Sequence, residues 1–475
     1  MIKWLFILSL AFNALLIPQP VSAHAFGKLY NLPVPFWMYL YGGAAALLVS
    51  FLVIGYFLNN TSKNFIYPTI NLSNNPFFSI LTKSWFLNIL KGISVFLLLL
   101  TIISGFIGEN SAYSNFNMTF FWIFFVLVLP YFTAFFGNVY AFINPWKVLV
   151  EWGEKLLGRK VKGVAEYPKN LSYYPALLFY FLFIWIELFG KTGPFSLSLI
   201  LIQYTFINLL GVMSIGKDNW FKYCEFFSVF LRLIGKIAPL EYHKGTLYLR
   251  PPFVGLLKDG AEHFSLLLFI LFMLSSTAFD GFSTTLVWYK FYWQKVSVLI
   301  TSLLGPEPYQ AFQLVGLILS PFVFLAIYWI LIALTKLITL SKLSIKKLML
   351  EFAFTLIPIA FVYNLAHYYN LILSSGQEMI RLISDPFGYG WNLFGTAFYT
   401  PNLSILDAGV TWHVQVFLIL IGHIAAVYLA HIAALRIFPT HRKALLSQLP
   451  MLILMVTYTL IGLWILAQPV TGGEI

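Results

Sequence analysis

Long apolar runs separated by short polar stretches dominate the chain. Ten of them approach or exceed the roughly twenty residues a helix needs to cross a hydrocarbon core. They cover approximately 37–58, 85–107, 119–142, 174–190, 194–215, 259–282, 309–334, 350–374, 411–435 and 448–469. The fourth run is short, and Pro194 in "GKTGP" restarts the chain at once, so the fourth and fifth are expected to form a tight hairpin. The predicted fold class is all-α, a polytopic transmembrane helical bundle in one integral membrane domain. No internal repeat is visible. Residues 1–23, "MIKWLFILSLAFNALLIPQPVSA", begin with Lys3, continue through an apolar core too short to span, and end in Val21-Ser22-Ala23. That pattern predicts a signal peptide. Cleavage after Ala23 leaves a mature domain, 24–475, that starts at His24.

Composition agrees with the pattern. Of 475 residues, 60% are hydrophobic and only 10% charged, and the mean hydropathy is +0.83. A soluble domain is nearer half apolar and a quarter charged. The formal net charge of +12 would suggest nucleic acid in a soluble protein, but its distribution excludes that partner. With His24 outside, only Lys28, Lys191, Lys290, Lys295 and Arg381 among the 29 Lys and Arg fall in outside segments, and Lys3 leaves with the signal. This asymmetry follows the positive-inside rule. It predicts a cytoplasmic-membrane protein with both mature termini outside, whose basic loops attract anionic lipid headgroups. Cys224 is the single cysteine, which excludes a disulfide framework.

Three loops exceed plain connectors. "NPWKVLVEWGEKLLGRKVKG" and "WFKYCEFFSVFLRLIGKIAPL" mix aromatics, leucines and basic residues at helical spacing, as expected of helices lying on the inner surface. Outside, 375–410 contains "SDPFGYGWNLFGTAFYTPN". It is expected to be a lid, a docking surface or an interfacial aromatic anchor.

Ionisable groups inside a bilayer are costly and are functional candidates by default. Histidines recur in "LAHYY", "TWHVQ" and "GHIAAVYLAH". At about 1.5 Å per residue, His367 lies about 10 Å below the outer end of the eighth helix. His413, His423 and His431 lie about 3, 18 and 30 Å down the ninth. Close pairs are feasible between His367 and either His413 or His423, with Tyr363 and Gln415 on the same face. Asp280 in "SSTAFDGF" and Glu187 in "FIWIELFG" sit near the outer ends of their helices, and Glu109 and Asp407 nearby. "FDG" alternatively forms a helix-ending turn with Gly281 as its cap. The candidate metal ligands are His24, His367, His413 and His423, with Asp280 as a catalytic base, and the expected ion is copper or zinc. An N-terminal histidine offers amine and imidazole together, a donor set that suits copper(II). For His431, His441 and His263, helix packing or an interfacial position is the simpler expectation.

The segments "SAHAFGKLYNLPVPFWMYLYGGAAALLVSF", "NPWKVLVEW", "YYPALLFYFLFIWIELF", "STAFDGF", "LIPIAFVYNLAHYYNLIL" and "WHVQVFLILIGHIAAVYLAH" resemble bacterial multi-pass membrane proteins often labelled fenitrothion hydrolase. "HAFGKL" is also similar to the mature start of periplasmic copper-resistance carriers. The first resemblance implies a membrane hydrolase, in which a metal lowers the pKa of a bound water and Asp280 takes its proton. Two further classes stay open: a transporter of protons, metal ions or a small molecule, and a scaffold subunit whose polar residues only pack helices.

Overall fold

The computed structural model describes residues 34–58, 67–243, 245–297, 308–402, 405 and 407–468. His24 and the expected signal segment lie outside these residues. The chain forms α1 (Phe36–Phe57), α2 (Ser84–Ile107) and α3 (Phe116–Phe136), then α4 (Pro145–Leu157), α5 (Tyr174–Phe189) and α6 (Pro194–Ile215). After these come α7 (Phe226–Ile234), α8 (Phe264–Ser283), α9 (Pro308–Thr339) and α10 (Ile345–Ser375). The last three are α11 (Glu378–Ser384), α12 (Ala408–Ile437) and α13 (His441–Ala467). Among the described residues, nine of these are long and apolar enough to cross a membrane, and α5 is a shorter apolar helix. Each of the ten matches one expected run, with ends displaced by a few residues. α6 starts where expected: Pro194 occupies its first turn, and the Ser196 hydroxyl accepts from Gly193 N at 2.9 Å.

Burial separates a centre from a rim. In α8, 89% of the spanning window is buried, whereas α1, α2 and α9 each bury about a fifth. Leu52, Phe96 and Val323 on those rim helices are exposed. Helices that are apolar all round and yet leave most of that surface uncovered need a nonpolar solvent. The protein is therefore a multi-pass membrane protein, with α8 at its core and α9, α10, α5 and α13 packed against it.

One end of the bundle carries the basic loops. There β1 (Ile70–Asn71), β2 (Leu240–His243) and β3 (Thr246–Leu249) form a small antiparallel sheet in the order β1-β3-β2. Buried Arg250 fixes it, donating to Ala238 O at 3.0 Å and to Glu241 Oε2 at 2.8 Å. Strands this short leave no readable alternation, so nothing in the sequence announced the sheet.

The two loops expected to lie flat on the membrane surface do not. α4 begins at the middle of the bundle. Trp146 is buried, and its Nε1 donates to Thr205 Oγ1 at 2.9 Å, halfway along α6. Only its far end reaches the basic end, where Glu154 pairs with Lys217 at 2.6 Å. Residues 217–234 also rise into the bundle beside α6. Trp220 donates to Asn208 at 2.8 Å and packs its ring on Gly211, leaving no room for a Cβ there. The chain turns at Glu225, opposite Tyr204, and α7 returns until Arg232 donates to Lys222 O at 2.9 Å. The physical reason lies in the sequence: of the nine residues of α7, six are fully buried and only Ser228 and Arg232 are polar. A helix whose only two polar residues share one face, four positions apart, can bury all the rest of its surface.

Candidate functional site

Three helices converge on one carboxylate. α8 presents Asp280 in its last turn, α10 presents Asn364, His367 and Tyr368, and α5 presents Glu187 near its end. Asp280 Oδ2 lies 2.8 Å from His367 Nε2 and accepts from the Tyr368 hydroxyl at 2.7 Å. The edge of the Tyr368 ring meets the His367 ring at 4.6 Å between centroids. Glu187 faces the same Tyr368 hydroxyl and lies close enough to Asp280 for the two charges to interact.

The helix does not end at "FDG". α8 continues through Gly281 to Ser283, and Gly281 serves packing instead. A Cβ there would stand 2.8 Å from Ile465 of α13 and 3.5 Å from His367 Cε1. The glycine thus lets Ile465 of α13 pack against the α8 backbone, one residue from the carboxylate, while His367 lies at ordinary contact distance.

A second layer of polar groups lies below the first. Asn364 Oδ1 accepts from the Tyr131 hydroxyl at 2.8 Å, and its Nδ2 donates to Thr277 Oγ1 at 3.2 Å. Between the layers is a cavity of about 40 Å³, whose lining includes Glu187, Asp280, Asn364 and Tyr368 on one side and Phe226, Phe227 and Phe230 of α7 on the other. A water needs about 10–15 Å³, so the cavity has room for a few waters. Part of its wall, Val126 and Leu127, comes from a π-helical stretch of α3, Phe120–Val128. Such wide turns in a helix occur often at functional sites.

The other expected site residues are placed elsewhere. His413 Nδ1 bonds Gly409 O of its own helix at 2.7 Å, and its Nε2 meets the Tyr39 hydroxyl of α1 at 3.3 Å. His423 is buried, with Nδ1 on Ile419 O at 2.8 Å and Nε2 without a hydrogen-bond partner among the described residues. Neither pairs with His367. Gln415 donates to Ala366 O at 3.0 Å and ties α12 to α10. Tyr363 is buried against Gly462 of α13. His431, expected to pack, does so: Nε2 reaches Leu58 O at 2.7 Å and Nδ1 reaches Gln448 at 3.1 Å. Asp407 caps α12, accepting from Gly409 N at 2.7 Å. Among the described residues no group of three or more His, Cys, Asp or Glu is arranged to hold a metal ion.

The long loop between α10 and α12 is pinned to the ends of α2 and α3. Glu109 N donates to Phe387 O at 2.8 Å, and Arg381 donates to Tyr113 O at 2.8 Å. None of its described residues lines the cavity. Tyr389, Trp391, Phe394 and Phe398 stay exposed on its surface.

Glu225 is the site residue that sequence reasoning missed. It is buried and accepts from Tyr204 OH at 2.5 Å, Ser228 N at 2.7 Å, Phe227 N at 3.2 Å and Asn144 Nδ2 at 3.2 Å. The available signal was a lone acid between two runs of apolar and aromatic residues in "WFKYCEFFSVFL". No protein-family model, curated protein or solved structure matches the chain.

Proposed function

We propose that this membrane protein is a proton-linked carrier, and that Asp280 and Glu187, with His367 and Tyr368, form the site where the coupling proton binds and leaves. The observation that carries this reading is the convergence of His367 and Tyr368 on the Asp280 carboxylate, beside a water-sized cavity that Glu187 also lines. Two acids sharing a tyrosine hydroxyl resist being ionised together, so one of them readily keeps a proton. A histidine bonded to the same carboxylate takes or returns that proton over less than one hydrogen-bond length. By the positive-inside rule the basic end is cytoplasmic, so the cluster opens from the outer half of the cytoplasmic membrane.

Hydrolysis, implied by the resemblance, is the second reading, and the Asp280–His367 contact favours it: a carboxylate bonded to an imidazole is a common general-base pair. An organophosphate ester is far larger than a cavity of about 40 Å³, so this reading also needs the helices to part. Zinc or copper there would need a third protein donor beyond Asp280 and His367. His24, outside the described residues, is the expected source.

The test uses purified protein in vesicles holding a pH-sensitive dye, challenged with small organic anions, amines and metal ions. At least one of them is expected to drive proton movement in the wild type, and Asp280→Asn should abolish it. Silence across the panel would overturn the carrier reading. Asp280-dependent cleavage of an organophosphate triester would favour the second.

A further inference from the structure

Two helices start inside this bundle rather than at its surface, and their first turns meet. Asn144 caps α4, its Oδ1 accepting from Lys147 N at 3.1 Å. Glu225 caps α7 through the bonds from Phe227 N and Ser228 N. The two caps are joined to each other, since Asn144 Nδ2 donates to Glu225 Oε2 at 3.2 Å. Both lie opposite Tyr204 and Thr205, ten or eleven residues from either end of α6. Half-helices whose amino ends meet midway across a membrane are a recurrent device for holding an anion at that depth. Here the anion is part of the chain.

Among the described residues no cation pairs with Glu225. Its described partners are a tyrosine, an asparagine and two backbone amides, all neutral. Two titratable groups face it: Tyr204 on α6, and Tyr140, next to the start of α4. The Tyr140 hydroxyl is buried and without a hydrogen-bond partner among the described residues. A buried carboxylate held only by hydrogen bonds and helix ends is balanced between its charged and neutral forms, because desolvation opposes what the donors favour. A group meant only to cap α7 would do so as asparagine or serine, with no charge to desolvate.

The position relative to the outer site gives this balance a use. Phe226 and Phe227 follow Glu225 directly and line the cavity that borders Asp280 and Glu187. Their rings touch each other at 3.9 Å between centroids. Carboxylates thus stand on both sides of a two-phenylalanine partition.

We propose that Glu225 is a second proton-binding site, midway across the membrane, on the path that begins at Asp280 and Glu187. This rests on the carrier reading above. When a proton binds, the Glu225 carboxylate becomes a carboxylic acid, and the bonds it accepts from Phe227 N and Ser228 N weaken. The amino end of α7 then loses its anionic cap, and the phenylalanines next to it are released from their fixed position. When the proton leaves toward the basic end, the cap re-forms. Protonation and the opening of the partition are one event.

Infrared difference spectroscopy of the full-length purified protein across a pH titration reads the carbonyl stretch of buried protonated carboxyls. The wild type should show separate signals from the outer cluster and from Glu225. Asp280→Asn should alter the first and leave the second; Glu225→Gln should remove the second and leave the first. Tyr204→Phe, which takes away one donor to the ionised form, should keep the Glu225 signal and move its titration to higher pH. That variant decides the matter if Glu225→Gln fails to fold. An unaltered spectrum in Glu225→Gln, or an unmoved titration in Tyr204→Phe, would overturn this inference while leaving the outer site intact. An unaltered spectrum in Asp280→Asn would instead remove the carrier reading on which it rests.

Discussion

The imidazoles of α12 and the imidazole of α10 differ in what surrounds them. His413, His423 and His431 follow one another down a single helix, and from sequence they look like a ladder through the membrane. In the folded chain each bonds locally or to a different neighbour: His413 to its own helix and α1, His423 through Nδ1 alone to its own helix, His431 to α13 and the end of α1. His367 is alone on its helix. It is the one that meets a carboxylate, because α8 and α5 bring Asp280 and Glu187 to the same place. Spacing on one helix therefore sets angle and depth only. Convergence between helices makes the site.

The strongest way to break the comparison is to remove the point of convergence. Asp280→Ala deletes the acceptor of both His367 and Tyr368, the first half-buried and the second buried. Each buried polar group left unpaired costs about 1–3 kcal/mol, so a loss near 3 kcal/mol is expected. It should appear as a clear fall in the thermal unfolding midpoint in detergent. Asp280→Asn keeps an acceptor and should fall less while losing the proton chemistry. Equal stability of Asp280→Ala and wild type would mean the three helices do not depend on the cluster.

Two substitutions on α12 sharpen the other side. His431→Leu strands Leu58 O and Gln448, and should cost about 2 kcal/mol without touching proton movement. His423→Leu removes a single intrahelical bond together with a buried nitrogen that lacks a partner among the described residues. Exchanging such an atom for carbon is close to neutral, within about 1 kcal/mol. If His423→Leu fell as far as His431→Leu in the same unfolding assay, His423 would have a role that its neighbours in the fold do not account for.

The sequence made the spans plain because each is a one-dimensional property: about twenty apolar residues, bounded by loops whose charge asymmetry orients them. Asp280, His367 and Glu187 were each visible as ionisable groups at similar depth, for the same reason. Their contact was not visible, since the expected partners of His367 were His413 and His423 on the helix that packs beside it. The partner chosen in the fold comes from α8, a helix whose packing on α10 nothing in the one-dimensional pattern specifies. Glu225 stayed hidden for a different reason. Basic residues flank its segment, and they made a surface helix the simpler reading, although within α7 only Ser228 and Arg232 are polar. The basic residues are reconciled with depth by geometry: Lys217 stays at the end of the bundle and Arg232 points back toward it.

The smallest expected effect concerns a carboxylate outside the spans, and it tests whether the convergence at Asp280 is special or whether any acid–base contact here would behave alike. Glu154 closes the far end of α4. The hydrogen bond from Lys217, with a further one from Val161 N, holds its carboxyl below the ordinary glutamate value of 4.5. A depressed folded-state value means that the pair adds stability above the unfolded value and loses it as pH falls through the folded one. Glu154→Gln should therefore unfold at a slightly lower temperature than wild type near neutral pH, by less than about 1 kcal/mol because water reaches the pair. That gap should close in acid, where wild type has itself lost the charge, and shrink in high salt. The pair anchors a half-helix whose other end meets Glu225. A gap that stayed open in acid would mean that Glu154 holds α4 by shape rather than by charge. The two ends of that half-helix would then no longer differ in kind.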